Sequence, residues 1–410
     1  MPKALLAAGG TGGHMFPAQS LSEELTRMGW ECAMITDSRG RKHAGRIKAE
    51  PIIEVQAASI SPRKPVKALR GAMQLSRGVR QAKAFMRDWA PDVVVGFGGY
   101  PSFPALRAAE GLNIPRVIHE QNAVLGRVNR VFARKATVVA SGFEDLARLP
   151  VGANHVVVGN PLRDSLLQAA TSKLSSRPSD RSEAEGAQSR DLTGKPERPP
   201  ATIASHTEKP LGPGSAPTSL ARAGLGRDDN ERVELLIVGG SLGANILSDV
   251  VPAAVAALPE ALRARLHVTQ QVTESRVTTA TDTYASASVP ATLETFFSDI
   301  HDHLARADLI IARAGASSVS EIALMGLPSI LIPLAIAMDD HQTANAKALE
   351  RLDAAVILPE PEFTAERLTA LLSELLHDRE RLDRMGRNAR SLARPDAARD
   401  LAALVVQAAG

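Results

Sequence analysis

Short apolar runs alternate with stretches of helical periodicity along most of this chain, and the alternation is interrupted once. Residues 4–8, 31–36, 92–95, 116–119 and 137–140 predict strands, and 18–28 carries helical spacing. A second series begins after Asn230, with strands predicted at 233–238, 267–271, 308–312 and 329–332. Helices are predicted there at 243–258 and 317–325, and 364–409 reads as mostly helical. Strands separated by helices imply a parallel sheet covered on both faces. Two such series imply an α/β protein of two doubly wound domains in tandem, each opening with strand, glycine loop and helix.

The interruption spans residues 171–230, rich in Ser, Pro, Arg, Glu and Gly and nearly free of bulky apolar side chains. Such a segment cannot bury enough surface to offset its ordering entropy, so it reads as a disordered insertion without chemistry. The expected organisation is therefore a first domain over 1–160, the insertion over 171–230, a second domain over 231–395 and a terminal helix over 396–410.

Composition narrows the class. A length of 410 residues suits two domains. With 44% hydrophobic residues but only 3% aromatic, the cores must rest on Ala, Val, Leu and Ile. Cys32 is the only cysteine, which excludes an internal disulfide and fits a reducing compartment. The apolar N-terminal run is too short for a signal peptide and reads as a buried first strand. No apolar run is long enough to span a bilayer, so any membrane contact is expected from the surface.

The net charge of +3 and a pI near 9.1 matter only for where the charge lies. Residues 39–89 hold thirteen Lys and Arg against three acids, Glu50, Glu54 and Asp88. Within them Val66, Leu69, Met73, Val79, Ala82 and Met86 recur at near-helical spacing. An amphipathic helix with a basic flank fits an anionic lipid surface. A core-packed helix with solvated charges fits the same periodicity. Nucleic acid is disfavoured, because stacking aromatics and known motifs are missing.

Three glycine loops follow predicted strands: Gly9-Gly10-Thr11-Gly12-Gly13-His14, Gly96-Phe97-Gly98-Gly99-Tyr100 and Gly239-Gly240-Ser241-Leu242-Gly243. Glycine permits positive φ and close approach of a ligand, and a following helix N-terminus favours phosphate. Glycines that merely turn strand into helix would look the same. No loop is a P-loop, and Met15 stands where the dinucleotide fingerprint needs glycine, which disfavours a nicotinamide enzyme.

Polar groups gather at predicted strand ends, where open α/β sheets bind ligands. His119-Glu120-Gln121-Asn122 exceeds what a helix cap needs. His14 can serve as a base or bond to backbone at a helix terminus. Ser318 and Glu321 have capping-box spacing, so Glu321 either caps a helix or grips a ribose. Asp339-Asp340-His341-Gln342, with Asn345, evokes a metal but lacks the paired spacing of a zinc site.

Taken in order, the first glycine loop, Gly98-Gly99-Tyr100, His119-Glu120-Gln121-Asn122, Gly159-Asn160-Pro161-Leu162-Arg163, Gly239-Gly240-Ser241 and Ser320-Glu321 form a set. The set resembles the MurG family, the UDP-N-acetylglucosamine transferases that make the second lipid intermediate of peptidoglycan synthesis. The resemblance covers nearly the whole chain except 171–230. It implies the glycosyltransferase B fold, two Rossmann-like doubly wound parallel-sheet domains facing across a cleft. For the donor, it implies that Gly240, Ser241 and their loop hold the diphosphate and that Glu321 holds the ribose. The Ala316, Ser317, Ser318, Val319 and Ser320 backbone would line the nucleotide, with Phe297 near the uracil. Gln342 and Asn122 would meet sugar hydroxyls, Arg163 would reach the donor from the interdomain connection, and Thr11, Gly12 and Gly13 would border it. Gly10, Gly98, Gly99 and Tyr100 would face the acceptor diphosphate. Leu242 and His341 depart from the family, where relatives often carry Gln.

The resemblance further implies partners: UDP-N-acetylglucosamine, an undecaprenyl-linked muramyl-pentapeptide and an anionic membrane surface at the cytoplasmic face of the inner membrane, with no nucleic acid. The implied reaction is attack of the muramyl C4 hydroxyl on the anomeric carbon with inversion, with His14 as base and Glu120 in reserve or orienting. Backbone N–H groups and a helix dipole can stabilise the departing UDP, so no cofactor or resident metal is expected. The rival readings are a UDP-N-acetylglucosamine 2-epimerase, a non-catalytic UDP-sugar-binding scaffold and, more distantly, a dehydrogenase.

Overall fold

A computed structural model describes residues 1–9, 12–41, 45, 47–57, 65–176, 232–240, 245–334 and 338–410. Met1–Ala170 and Arg232–Gly410 form one compact unit. Nearly all of the expected insertion lies outside the described residues; Thr171 to Ser176 complete a helix that runs Asp164–Ser176.

The first sheet has seven strands: β1 (Lys3–Ala7), β2 (Glu31–Thr36), β3 (Ile52–Glu54), β4 (Val93–Gly96), β5 (Arg116–Glu120), β6 (Val138–Ser141) and β7 (His155–Val157). All pair in parallel, in the order β3-β2-β1-β4-β5-β6-β7. The second sheet has six: β8 (Val233–Val238), β9 (Leu266–Gln271), β10 (Ala291–Glu294), β11 (Leu309–Ala312), β12 (Ser329–Leu331) and β13 (Ala355–Ile357). It is also wholly parallel, in the order β10-β9-β8-β11-β12-β13. Central strands are buried on both faces, which is why they read as unbroken apolar runs: Ala4, Leu5, Leu6 and Ala7 are fully buried.

In each sheet the chain reverses its direction of build beside its first strand. Leu5 pairs with Ala33 on one side and Val94 on the other. Leu235 likewise pairs with Val268 and Leu309. Crevices at such switch points hold ligands. The loops that flank them, after β1, β4, β8 and β11, are the three glycine loops and the Arg313-Ala314-Gly315 turn.

The helix Gly12–Arg27 starts six residues earlier than expected from periodicity, because Gly12, Gly13 and an internal Pro17 hide its first turns. The helix Pro65–Trp89 divides along its length. Ala82 and Met86 are buried in the first core, with Val79, Phe85 and Trp89 packed against it, while Leu69 (64% exposed) and Met73 (50%) face solvent beside exposed Arg70 and Arg77. Val66 lies at a position whose side chain is outside the described ones. No described helix is long and apolar enough to cross a membrane.

The final helix, Ala397–Ala409, returns to the first domain. Its Leu401, Ala402 and Val405 join the cluster of Met15, Leu21 and Val93. The chain thus passes between the two sheet domains twice, and the passages touch: a Cβ on Gly159 (φ 89) would lie 2.4 Å from Cβ of Arg394.

Candidate functional site

The carboxyl-end loops of both sheets meet along one seam, held by buried polar side chains. Asn345, fully buried on the helix His341–Glu350, accepts from the Ala123 N–H (2.8 Å) and donates to Asn122 Oδ1 (3.2 Å) and the Ala314 carbonyl (3.1 Å). Asn160 donates to the Gln121 carbonyl (3.0 Å) and to Ser320 Oγ (2.9 Å). Buried amides that reach loops of both sheets fix the relative placement of the loops after β5, β7 and β11.

His14 sits in the first turn of its helix, between the first two glycine loops. A Cβ on Gly98 (φ 86) would lie 3.3 Å from Nε2 of His14, and one on Gly99 (φ 73) only 2.9 Å from the Gly9 carbonyl. Both glycines are required by positive φ and by the imidazole packed against them. Ser102 Oγ lies within hydrogen-bond reach of the Ala7 (2.7 Å) and Gly98 (2.6 Å) carbonyls, tying the β1 and β4 loops together. Desolvation lowers the His14 pKa from 6.5, opposed by the Glu120 carboxylate and a hydrogen bond to the Gly9 backbone, with His341 adding to the lowering. The backbone bond that the sequence allowed for His14 is present, to Gly9. A neutral imidazole bonded to backbone through one nitrogen N–H carries a lone pair on the other.

Glu120 is buried at the end of β5 and fully engaged. One oxygen accepts from the Asn122 N–H (3.1 Å) and Nδ2 (3.2 Å), the other from the Gly126 N–H (2.8 Å) and Asn129 Nδ2 (2.8 Å). Four donors leave no lone pair for a substrate proton, so the carboxylate acts as loop scaffold and as a negative neighbour of His14. His119 is structural: its buried Nε2–H donates to the Gly159 carbonyl (2.9 Å), Gln121 donates to its Nδ1 (3.0 Å), and burial pushes its pKa down to about 4.

On the opposite side the helix Ala316–Met325 begins at Gly315, which is extended (φ −64, ψ 150) and offers no side-chain cap. The capping-box reading of Ser318 and Glu321 is thus overturned, because both lie inside the helix. The first-turn N–H groups around Ala316, Ser317 and Ser318 keep their partial positive charge. Val319 is buried in the core and Ser320 Oγ donates to the Ala316 carbonyl (3.0 Å). Glu321 is half-buried with no hydrogen-bond partner among the described residues. Burial raises its pKa to about 7, and Arg163 pulls it back. Arg163 stacks over the Phe16 ring, 4.7 Å from its centroid, so the interdomain connection carries a guanidinium toward the seam.

Gln342 accepts from the Leu334 N–H (2.9 Å) through its amide oxygen. Asp339 pairs with three arginines of the first domain. Gly240 has positive φ (84), and the Gly239 N–H donates to Gln271 (3.1 Å). Phe297, expected near the uracil, has its ring 6% exposed within the second core against His303, while the adjacent Phe296 is 72% exposed. Tyr100 is exposed at the rim. Gly10, Thr11 and Ser241, with Leu242, lie outside the described residues, and Gly12 and Gly13 open the His14 helix.

Sequence reasoning missed Asn129, and it named Asn160 and Asn345 within motifs without giving either a role of its own. Their spacing carries no chemical signature; they matter because distant loops converge on them.

Comparison with known proteins bears on this arrangement. Residues 4–141 match the glycosyltransferase family 28 N-terminal domain and 234–401 the family's C-terminal domain. A Maricaulis maris protein named UDP-N-acetylglucosamine--N-acetylmuramyl-(pentapeptide) pyrophosphoryl-undecaprenol N-acetylglucosamine transferase is 44% identical, over 98% of this chain and 96% of its own. The crystal structure of Acinetobacter baumannii MurG superposes with a TM-score of 0.72 at 28% identity, covering 99% of this chain and 100% of that one. A Neisseria meningitidis UDP-GlcNAc 2-epimerase bound to UDP-GlcNAc shares the fold at a TM-score of 0.61 and 11% identity, over 99% of this chain and 100% of that one.

Proposed function

The chain belongs to the MurG branch of glycosyltransferase family 28, with the glycosyltransferase B fold, and on that basis we propose how its seam carries out the transfer. It moves N-acetylglucosamine from UDP-N-acetylglucosamine to the muramyl-pentapeptide carried on undecaprenyl diphosphate, a step of peptidoglycan synthesis. The observation that supports the mechanism best is His14, held between two glycine loops with its pKa lowered.

In this reading the acceptor's C4 hydroxyl gives its proton to His14 as its oxygen attacks the anomeric carbon. The bond to the UDP oxygen breaks on the opposite face, inverting the centre. Negative charge grows on UDP as it leaves. The uncapped N-terminus of Ala316–Met325 supplies preorganised N–H groups for it, and Gly240 and Ser241 are assigned to its diphosphate. Glu321 accepts the two ribose hydroxyls, and Arg163 lies beside it as a counter-charge. Asn122 and Gln342 orient the donor sugar, while Gly98, Gly99 and Tyr100 border the acceptor. Glu120 keeps the Asn122 to Asn129 loop in place and stabilises the imidazolium that forms.

The exposed Leu69 and Met73, flanked by Arg70 and Arg77, support docking on the anionic cytoplasmic face of the inner membrane, where the acceptor resides.

The deciding experiment is transfer of labelled N-acetylglucosamine by purified protein to a short-chain lipid-linked muramyl-pentapeptide, with and without that acceptor. Acceptor-dependent disaccharide product is expected. UDP release or epimerised sugar without acceptor would replace the transferase by an epimerase, and tight donor binding with no turnover would leave a scaffold.

A further inference from the structure

Asp339 lies on the loop between β12 and the helix His341–Glu350, two residues before His341. Three guanidinium groups of the first domain converge on its carboxylate: Arg148 Nη1 at 2.5 Å, Arg130 Nη2 at 3.4 Å and Arg127 Nε at 3.5 Å. One negative charge faces three positive ones. No other carboxylate pairs with these arginines among the described residues, and Asp340, next in the chain, is exposed and pairs with none of them. Arg127 and Arg148 remain open, with side chains 69% and 44% exposed, while Arg130 is 35% exposed with its Nε buried.

Bringing the groups together has a conformational cost. Arg148, Asp339 and Asp340 all hold positive φ (64, 57 and 53), a region that residues with a Cβ rarely adopt and that tends to persist at functional sites. The cluster also borders the reaction centre. Arg127 directly follows Gly126, whose N–H bonds Glu120, and both Glu120 and His341 act electrostatically on His14.

We propose that Arg127, Arg130 and Arg148, set out by Asp339, form a carboxylate-binding subsite for the peptide of the acceptor. This rests on the transferase reading above. A peptide joined by its amino end to the lactyl carboxyl of muramic acid ends in a free carboxylate, and planar guanidiniums match that group through paired N–H donors. Asp339 holds the arginines in register but cannot neutralise them, and the excess charge at the edge of the site recruits an anionic acceptor. A phosphate of the acceptor would offer similar anionic oxygens, and the test separates the two.

The test compares steady-state kinetics of the wild type, Arg127→Ala and the Arg127→Ala/Arg148→Ala double variant. Arg130 is left intact because it also bonds the Leu125 carbonyl. Two acceptors are used, both with the diphosphate intact: one with free peptide carboxylates and one with them amidated. The expected result is a KM for the free-carboxylate acceptor raised ~5- to 50-fold in the double variant, the loss of paired charge-assisted hydrogen bonds. The donor KM stays unchanged, and wild type and variant converge on the amidated acceptor. A merely structural role would weaken both acceptors alike. If the variants bind the two acceptors with equal loss, the diphosphate or the fold is responsible and the subsite is refuted. Unchanged acceptor KM refutes it as well. Failure of the transferase reading is distinct, because the wild type would then make no acceptor-dependent product at all.

Discussion

Replacing Glu321 by Gln tests the donor site through protons rather than rate. The free carboxyl titrates at about 7, held up by burial and partly offset by Arg163. At pH 7 it is therefore about half protonated. Two ribose hydroxyls donating to it favour the ionised form and carry its pKa back toward the ordinary carboxylate range. Donor binding at pH 7 is thus expected to release about half a proton from this one group. UDP-N-acetylglucosamine is the right probe, since its diphosphate diester does not titrate near neutrality. Calorimetry in buffers of different ionisation enthalpy reads the release as a slope of apparent binding enthalpy against buffer enthalpy. The Glu321→Gln protein is expected to lose that slope and to bind the donor more weakly. The same shift sets a stability effect of definite sign. Between pH 4.5 and 7 the folded protein holds a proton that the unfolded chain has lost, so stability falls as pH rises through this window. Glu321→Gln removes that penalty and should gain up to ~3 kcal/mol at pH 8 relative to the wild type, with little difference near pH 4. A buffer slope of the same size in both proteins would refute the ribose assignment; equal stability at pH 8 would refute the buried-carboxyl argument.

Other outcomes follow from the same geometry. His14→Ala should lower turnover about 10²- to 10⁴-fold with the donor dissociation constant nearly unchanged, and rate assays with a donor-binding titration check this; near-normal turnover would remove His14 as the base. In the wild type the acid limb of kcat/KM should fall at a midpoint below 6.5, since neutral His14 is the working form and its pKa is lowered. Asn345→Ala strands the buried Ala123 N–H and frees Asn122, so urea unfolding should show a loss of about 2–4 kcal/mol, and a loss under 1 kcal/mol would mean that water replaces the amide. Leu69→Glu with Met73→Glu should abolish co-sedimentation with anionic vesicles while leaving turnover on a water-soluble acceptor intact; unchanged sedimentation would move the membrane contact elsewhere.

Central strands were legible because burial on both faces demands continuous apolar sequence, as in β1, β2 and β8. The four strands that periodicity did not reveal, β3, β7, β10 and β13, are the outer strands of the two sheets. Each has three or four residues and is largely half-exposed, so no apolar run marks it. At the site, glycines and clustered polar residues at strand ends pointed to the right loops. What each side chain does there was not legible. Glu120 and Glu321 are both acids beside a turn, yet one is saturated by four donors and the other is half-buried without a partner among the described residues. Glu120's donors lie within nine residues of it, but only the folded loop turns them all onto one carboxylate, and Asn122 of that loop is in turn held by Asn345, more than two hundred residues away.

The two passages between the sheet domains touch at Gly159, and this bears on how the enzyme opens. Separate tethers at opposite ends of a seam would resist any relative motion. Once the polar contacts of the seam part, a pair meeting at one point would resist sliding more than swinging, as a hinge with a single pin does. Gly159 is the pin: a methyl group there would meet Arg394 at 2.4 Å and push the two passages apart. Spin-label pairs set beside Gly159 should then keep their separation when donor binds, while pairs placed across the far rim change theirs. Substrate entry becomes a matter of angle, and a residue that touches neither substrate sets where that angle begins.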